Sequence, residues 1–492
     1  MTATIEVEAT DVKASGTATV TMAETSTKEQ LRAMFDRQKR AFRSAPMPSR
    51  EERIQNLQRL KTVLLDNQDA IIDAISEDFA GRSRDETLLG ELMPIAQDIN
   101  YTCKKLKKWM KPSKRHVGQH LQPAKAVVNY QPLGVVGIMV PWNYPVQLAV
   151  LPMVGALAAG NRVMVKMSEF TPKTAELFAK LMEDHFSEEL ISVVTGEVDV
   201  ATEFSKLPFD HLLFTGSTQV GRIVMRAAAE NLTPVTLELG GKSPAIISDD
   251  VDLTEAVERI CFGKSFNAGQ TCVAPDYILC PRSKQDAFIE TYRKVFNTMY
   301  PKLNNNADYT SIVNERMHQR LQSLVTEAKE AGAGVHVIGE SDINDGSRRM
   351  PLHIITDASD DLRVMQEEIF GPVMPVIPYD NLNEALDYVN DRPRPLALYL
   401  FSHEQDCQRR VLEQTHSGGV CVNETLLHVA VDDMPFGGVG PSGMGHYHGH
   451  EGFLTFSKAK GTLSKGKFNA AKFMYPPYGG ALGKMIFKMF VR

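Results

Sequence analysis

Cysteine is scarce and unpatterned in this chain of 492 residues: the six thiols, at 103, 261, 272, 280, 407 and 421, form no CxxC pair and no ladder of spacings. That speaks against a zinc ribbon or a disulfide framework and for a reducing, cytoplasmic setting. Positive charge is not in excess, since 54 Lys and Arg face 60 Asp and Glu for a net charge of −6, so electrostatics give no reason to expect a nucleic-acid partner. The uncharged stretch 126–161 is interrupted by Pro132, Pro141, Asn143, Pro145 and Pro152, too often for a membrane-spanning helix. It reads better as a buried strand (134–140), a turn and a small-residue helix (151–159). The opening residues 1–27 lack the basic and then continuously apolar order of a secretory leader. Rich in Thr and Ala and carrying Glu6, Glu8 and Asp11, they read as a disordered tail.

What is present is an ordinary globular composition, 43% hydrophobic and 23% charged, in a chain too long for a single core, so at least two domains are expected. Ser49 and Glu52 make a capping box ahead of Ile54, Leu57, Leu60 and Leu64 at helical spacing, which is a scaffold helix. An extended pair follows near 126–136. Apolar strands near Val135, Val163, Val193 and Leu212 then alternate with helical stretches at 174–184 and 221–230, the pattern of a parallel sheet faced by helices. A second α/β series starts near Glu238, with strands about Ile246, Ile278, Val337, Leu398 and Val420. The last segment, 461–492, has six basic residues and no acidic one, and its end mixes Met, Ile and Phe with Lys at near-helical spacing. Such an end either lies on an anionic membrane surface or packs as a terminal arm on this subunit or a partner.

Three segments carry chemistry. FNAGQTCVAPDY sets Cys272 in a run suited to a loop entering a helix, where a thiol ionises more easily than an apolar filler cysteine. LELGGKSP puts a carboxylate, Glu238, 34 residues upstream, and VPWNYP puts the amide of Asn143 in a Pro-bounded turn 129 residues upstream. Nucleophile, base and oxyanion donor can all be named. By themselves they also fit a cysteine-dependent esterase or thioesterase. Two matches to nucleotide-binding patterns fail: Gly438–Gly443 fits GxGxxG but has no strand leading in and is broken by Pro441, and Gly241-Lys242-Ser243 has Thr236 where a phosphate loop needs glycine.

With FTGSTQVG, QEEIFGPV and PFGGVGPSGMG, these segments resemble the aldehyde dehydrogenase superfamily over about 29–458. The tyrosine in WNYP, with GQTCVAPDYILC, YHG and MYPPY, is similar to its class 3 branch, which includes fatty, benzaldehyde-type and coniferyl aldehyde dehydrogenases. The resemblance implies an α/β fold of two open α/β domains with a small β oligomerisation element. Its expected bounds are a Rossmann-like NAD-binding domain at 28–112 and 135–237, a catalytic domain at 238–427, a bridging element at 113–134 and 428–460, and the basic tail at 461–492.

The resemblance further implies NAD(P)-dependent oxidation of an apolar aldehyde, aromatic or fatty, to the carboxylate through a thiohemiacetal and thioester on Cys272. Asn143 and the Cys272 amide would hold the oxyanion and Glu238 would activate water. It assigns the cofactor turn to Gly216, Ser217, Thr218, Gln219, Val220 and Gly221, the adenosine ribose to Lys166 and Glu169, the nicotinamide ribose to Glu368, and flanking of the nicotinamide to Phe370, with Trp142 also on the cofactor side. Read bare, Lys166 and Glu169 are solvated charges, and Trp142, Tyr144, Phe370 and Phe436 are core residues. A carboxylate at Glu169 repels a 2′-phosphate, so NAD is expected ahead of NADP, which class 3 relatives often accept. A homodimer is implied. The imidazoles of His446, His448 and His450 crowd with Glu451, but the family's YHG turn accounts for most of them, so no metal is expected.

Overall fold

The computed structural model describes residues 17–118, 121–469, 472 and 474–491, with backbone alone for 17–27. Its strands are near-continuous Val, Ile and Leu runs, which must be covered on both faces. In the first sheet the order is Gly443–Met444, Val235–Glu238, His211–Thr215, Val135–Met139, Arg162–Lys166, Ile191–Val194, parallel except for the two-residue edge strand. Residue parity divides its faces. Val136, Ile138, Val163, Val165 and Leu213 join the core that holds helix Gln147–Ala159, whereas Val135, Met139, Met164, Leu212 and Phe214 pack with Leu31, Phe35 and Val224 on the other side.

The second sheet runs Gly334–Ile338, Leu352–Thr356, Val373–Tyr379, Tyr277–Pro281, Pro244–Ile247, Ala397–Phe401, Gly419–Val422, antiparallel only at its first strand. A third, of Ser113–Arg115, Lys125–Pro132 and Ser457–Ser464, is antiparallel and largely solvent-facing.

Four sequence expectations are corrected. The extended pair near 126–136 is not a pair, because Lys125–Pro132 and Val135–Met139 enter different sheets. The chain turns at Gly134, whose φ of +147° suits glycine and whose missing Cβ leaves room for Asp210; that carboxylate accepts the Val135 N–H at 2.8 Å. The first helix, Thr17–Ser44, begins inside the stretch read as a disordered tail, and residues 1–16 of that tail lie outside the described residues. Gly443–Met444, read as part of a bridge, adds to the first sheet beside Glu238. Strand Ser457–Ser464 runs into the segment read as a tail, which also forms helix Ala481–Phe490, where Gly483 is the one buried residue.

Strand Val135–Met139 has a parallel neighbour on each side, and the chain crosses over in opposite directions from it. At such a switch point the loops diverge and leave a crevice beyond the strands' carboxyl ends, the usual ligand position in open α/β sheets.

Candidate active site

Around that crevice the first sheet delivers six of the sequence candidates. Strand Val135–Met139 leads to Trp142 and Asn143, Arg162–Lys166 ends on Lys166 with Glu169 just beyond, His211–Thr215 runs into Gly216, and Val235–Glu238 ends on Glu238. Lys166 is buried, with Nζ donating to the Met167 carbonyl at 2.7 Å and lying 3.7 Å from Glu169 Oε2. Ser217 caps helix Thr218–Ala229, its hydroxyl accepting the Val220 N–H at 3.4 Å. Ser217, Gln219 and Val220 are exposed, so this helix start faces solvent with its positive end available to an anion. Gly221 is required by packing: a Cβ there would lie 2.7 Å from Leu239.

The second sheet contributes from the segments that lead into two of its central strands. Ile278 pairs with Val376 in parallel register, so the segments that lead into the two strands, one carrying Cys272 and the other Glu368 and Phe370, enter the sheet from the same end. The segment bearing Glu368 and Phe370 is tied down from several sides. Arg320 donates to the carbonyls of Glu368 at 2.6 Å and Ile369 at 2.8 Å, Asp276 accepts the Ile369 N–H at 2.8 Å, and Lys242, paired with Asp276, donates to the Glu367 carbonyl at 3.0 Å. Lys242, which imitates a phosphate-loop lysine in the sequence, is thus a strut. Glu368 lies against Gly240, where a Cβ would collide at 2.1 Å, and its Oε1 is enclosed with no partner. Phe370, at a φ of +55°, meets Trp142 edge to face at 5.2 Å. A helix start open to an anion, a Lys–Glu pair at a strand end, an unsatisfied carboxylate oxygen and an aromatic pair together fit a dinucleotide.

Cys272 is not at a helix start. It sits in a turn between the short 3-10 helix Phe266–Gly269 and strand Tyr277–Pro281. Asn267 and Ala268 both hold a φ of +52°, a conformation costing about 1–2 kcal/mol each outside glycine, so neighbours must over-determine it. They do. Glu86 accepts the Asn267 N–H at 3.1 Å, the Asn267 amide donates to the carbonyls of Asn143 and Gln270, and the Gln270 side chain donates to the carbonyls of Asn267 and Ser311 and accepts the Val313 N–H. The Asn143 amide donates to the Gln270 carbonyl at 3.2 Å, leaving its second N–H. Behind Asn143, buried Arg82 donates to its carbonyl and to Glu91 at 3.1 Å, while Glu91 accepts the N–H groups of Val146 and Gln147. Nucleophile loop and amide turn are locked to each other.

Burial corrects the expected reactivity. The thiol of Cys272 is pushed up to about 12, first by desolvation and then by Glu368 and Glu238, so a depressed value at a helix start does not occur. Glu238 is raised well above the carboxylate range by burial, with both oxygens unpartnered. Glu368 is raised to about 8, mainly by desolvation and then by Asp276. Burial thus shifts the thiol and both carboxyls toward their neutral forms.

Cys272 opens into an apolar cavity of about 210 Å³ walled in part by Tyr144, Phe266, Leu426, Phe436, Tyr447 and His448. Tyr144 and Phe436, read as core residues, are therefore cavity walls; the Tyr144 hydroxyl also meets Thr271 Oγ1 at 2.7 Å. Sequence reasoning missed Tyr447 and the Glu86, Arg82 and Glu91 supports, for which spacing gives no clue. The rejected GxGxxG stretch lies at the site after all: Gly443 pairs with Glu238 and the Pro441 carbonyl accepts from Thr218 at 3.0 Å. The three imidazoles diverge. His448 stacks on Phe436 at 5.4 Å, His450 stacks on Trp109 at 5.7 Å, and His446 faces solvent.

A family model described as "Aldehyde dehydrogenase family" matches residues 5–462. The "Probable coniferyl aldehyde dehydrogenase" of Pseudomonas aeruginosa is 59% identical over 94% of this chain and 97% of its own length. Among solved structures, the substrate-bound state of Staphylococcus aureus AldH superposes with a TM-score of 0.89 at 37% identity, covering 94% of this chain and 99% of that one. A Mycobacterium tuberculosis aldehyde dehydrogenase complexed with NAD+ gives 0.81 at 30% identity, covering 90% and 91%.

Proposed function

The chain belongs to the aldehyde dehydrogenase family and is an oxidoreductase acting on aldehydes, and from that premise we propose that it oxidises aryl-propenals of the coniferyl type to their acids with NAD. The observation carrying this reading is the apolar, aromatic-walled cavity onto which Cys272 opens. Its relative of 59% identity bears a coniferyl aldehyde dehydrogenase name.

In this reading Cys272 gives up its proton to solvent, more readily as pH rises, and the thiolate attacks the aldehyde carbon. The carbonyl oxygen becomes negative and is held by the free Asn143 N–H and the Cys272 amide. Collapse of the thiohemiacetal re-forms the C=O bond and leaves a thioester on Cys272; NAD, when bound, supplies the hydride acceptor. Ser217 and the helix start at Thr218 would hold its phosphates, Lys166 and Glu169 the adenosine ribose, Glu368 the nicotinamide ribose, and Phe370 and Trp142 would border the ring. Glu238 then takes a proton from water, which attacks the thioester and frees the acid. Covalent attachment keeps the reacting carbon beside the acceptor, which a free hydrate does not.

Glu169 at the end of the strand disfavours a 2′-phosphate, so kcat/KM is higher with NAD than with NADP; a clear NADP advantage overturns the preference. The deciding experiment is aldehyde-dependent NADH absorbance with coniferyl aldehyde, cinnamaldehyde, benzaldehyde, hexanal and dodecanal. Coniferyl aldehyde gives the highest kcat/KM, and Cys272→Ser loses the signal by about 1,000-fold or more. Ester cleavage without any NADH would favour the cysteine-esterase alternative.

A second property rests on a specific observation. In helix Ala481–Phe490, Leu482, Met485, Phe487 and Met489 are each more than half exposed between Lys484 and Lys488. No described helix is long and apolar enough to cross a membrane. We infer peripheral contact of this helix with an anionic lipid surface, and a homodimer built on the solvent-facing three-stranded sheet, whose edge strand Ser457–Ser464 leaves backbone groups unpaired.

A further inference from the structure

Beside the Cys272 cavity lies a second, much smaller space of about 10 Å³, room for roughly one water-sized oxygen. Pro94, Leu151, Val429, Ala430 and His448 wall both spaces, so the small one adjoins the large one. Its polar lining is Asp98, Asp432 and His448. Asp98 is only 6% exposed, and its sole hydrogen-bond donor among the described residues is Thr102, at a long 3.5 Å. His448 Nε2 is enclosed and has no partner. The residue is held at a φ of +88°, a conformation that costs a side chain about 1–2 kcal/mol, and its ring is fixed by stacking on Phe436. An otherwise apolar cavity thus adjoins an oxygen-sized space lined by the unpartnered Nε2 of His448 and by Asp98, whose one donor is distant.

Resting on the aldehyde-oxidising reading above, we propose that this small space is the subsite for the ring hydroxyl of a phenolic aryl-propenal, with Asp98 and His448 as specificity-determining residues. The aromatic walls Tyr144, Phe436 and Tyr447 suit the ring, and the small space suits one hydroxyl oxygen. Burial holds His448 neutral, down to about 4, so in the Nδ1–H tautomer its Nε2 accepts the phenolic hydrogen. Burial and Asp432 raise Asp98 to about 7, so near neutrality part of the molecules carry a carboxyl proton that the phenolic oxygen accepts. A fatty chain or an unsubstituted ring brings no such group and makes neither contact.

The test is the ratio of kcat/KM for coniferyl aldehyde to that for cinnamaldehyde, with 4-methoxycinnamaldehyde as a bulkier probe that lacks the hydroxyl hydrogen. The wild-type ratio exceeds about 10, the methoxy compound falls to or below cinnamaldehyde, and Asp98→Leu and His448→Phe each lower the ratio by about 10- to 100-fold. Loss of folded enzyme scales both substrates equally and leaves the ratio alone. A wild-type ratio near one, a methoxy compound as good as the phenol, or a ratio unmoved in both variants overturns the subsite while cinnamaldehyde turnover still upholds aldehyde oxidation. Failure of every aldehyde to yield NADH overturns both.

Discussion

At the scale of single residues, the site works by withholding charge. Cys272 and Glu238 are neutral at rest because burial raises both, and both act in their ionised forms. The kcat/KM for an aldehyde therefore climbs as pH rises above neutrality toward the thiol value of about 12, and a flat alkaline profile counts against the assignment. The sign for stability is opposite. Above the ordinary carboxylate value of 4.5 the unfolded chain ionises at Glu238 while the folded chain keeps its proton, so the folded state loses stability as pH rises, and Glu238→Gln flattens that part of the Tm–pH curve. The same variant keeps the first burst of NADH and slows steady turnover as thioester accumulates; a mass spectrum without acyl-enzyme would contradict the base role. Asn143→Ala, missing an oxyanion donor, falls about 100- to 1,000-fold in kcat.

At the scale of elements, strand ends and loops are coupled by buried polar contacts rather than by apolar packing alone. Arg82 joins the Asn143 turn to Glu91, and Glu91 in turn fixes Val146 and Gln147 at the start of helix Gln147–Ala159. Removing one partner of such a pair strands the other. Arg82→Met is expected to destabilise the protein by about 3–5 kcal/mol in urea unfolding. The Asn267–Ala268 kink was unreadable in advance, since two consecutive non-glycine residues at positive φ are held by Glu86 and Asn143, which reach them from distant parts of the chain, together with the nearby Gln270.

At the scale of the whole molecule, two sheets meet edge to crevice: the carboxyl ends of one face the segments leading into the other. The terminal helix stands outside this arrangement. Truncation after Ser464 leaves NADH formation with a water-soluble aldehyde intact and abolishes co-flotation with anionic vesicles; equal flotation of both forms would assign membrane contact elsewhere.

Composition, strand–helix alternation and six short motifs determined the fold class and the family by themselves, because continuous apolar strands and glycine-bounded turns are local properties written in consecutive residues. Cys272, Glu238 and Asn143 were nameable for the same reason, since each lies in a turn-forming run of distinctive chemistry. Only tertiary structure decided that the thiol is protonated, that Tyr144 and Phe436 wall a cavity, that Gly443 lies beside Glu238, and that Asp98 and His448 line one small space. Desolvation and convergence depend on which distant segments exclude water together, and no spacing along the chain encodes that.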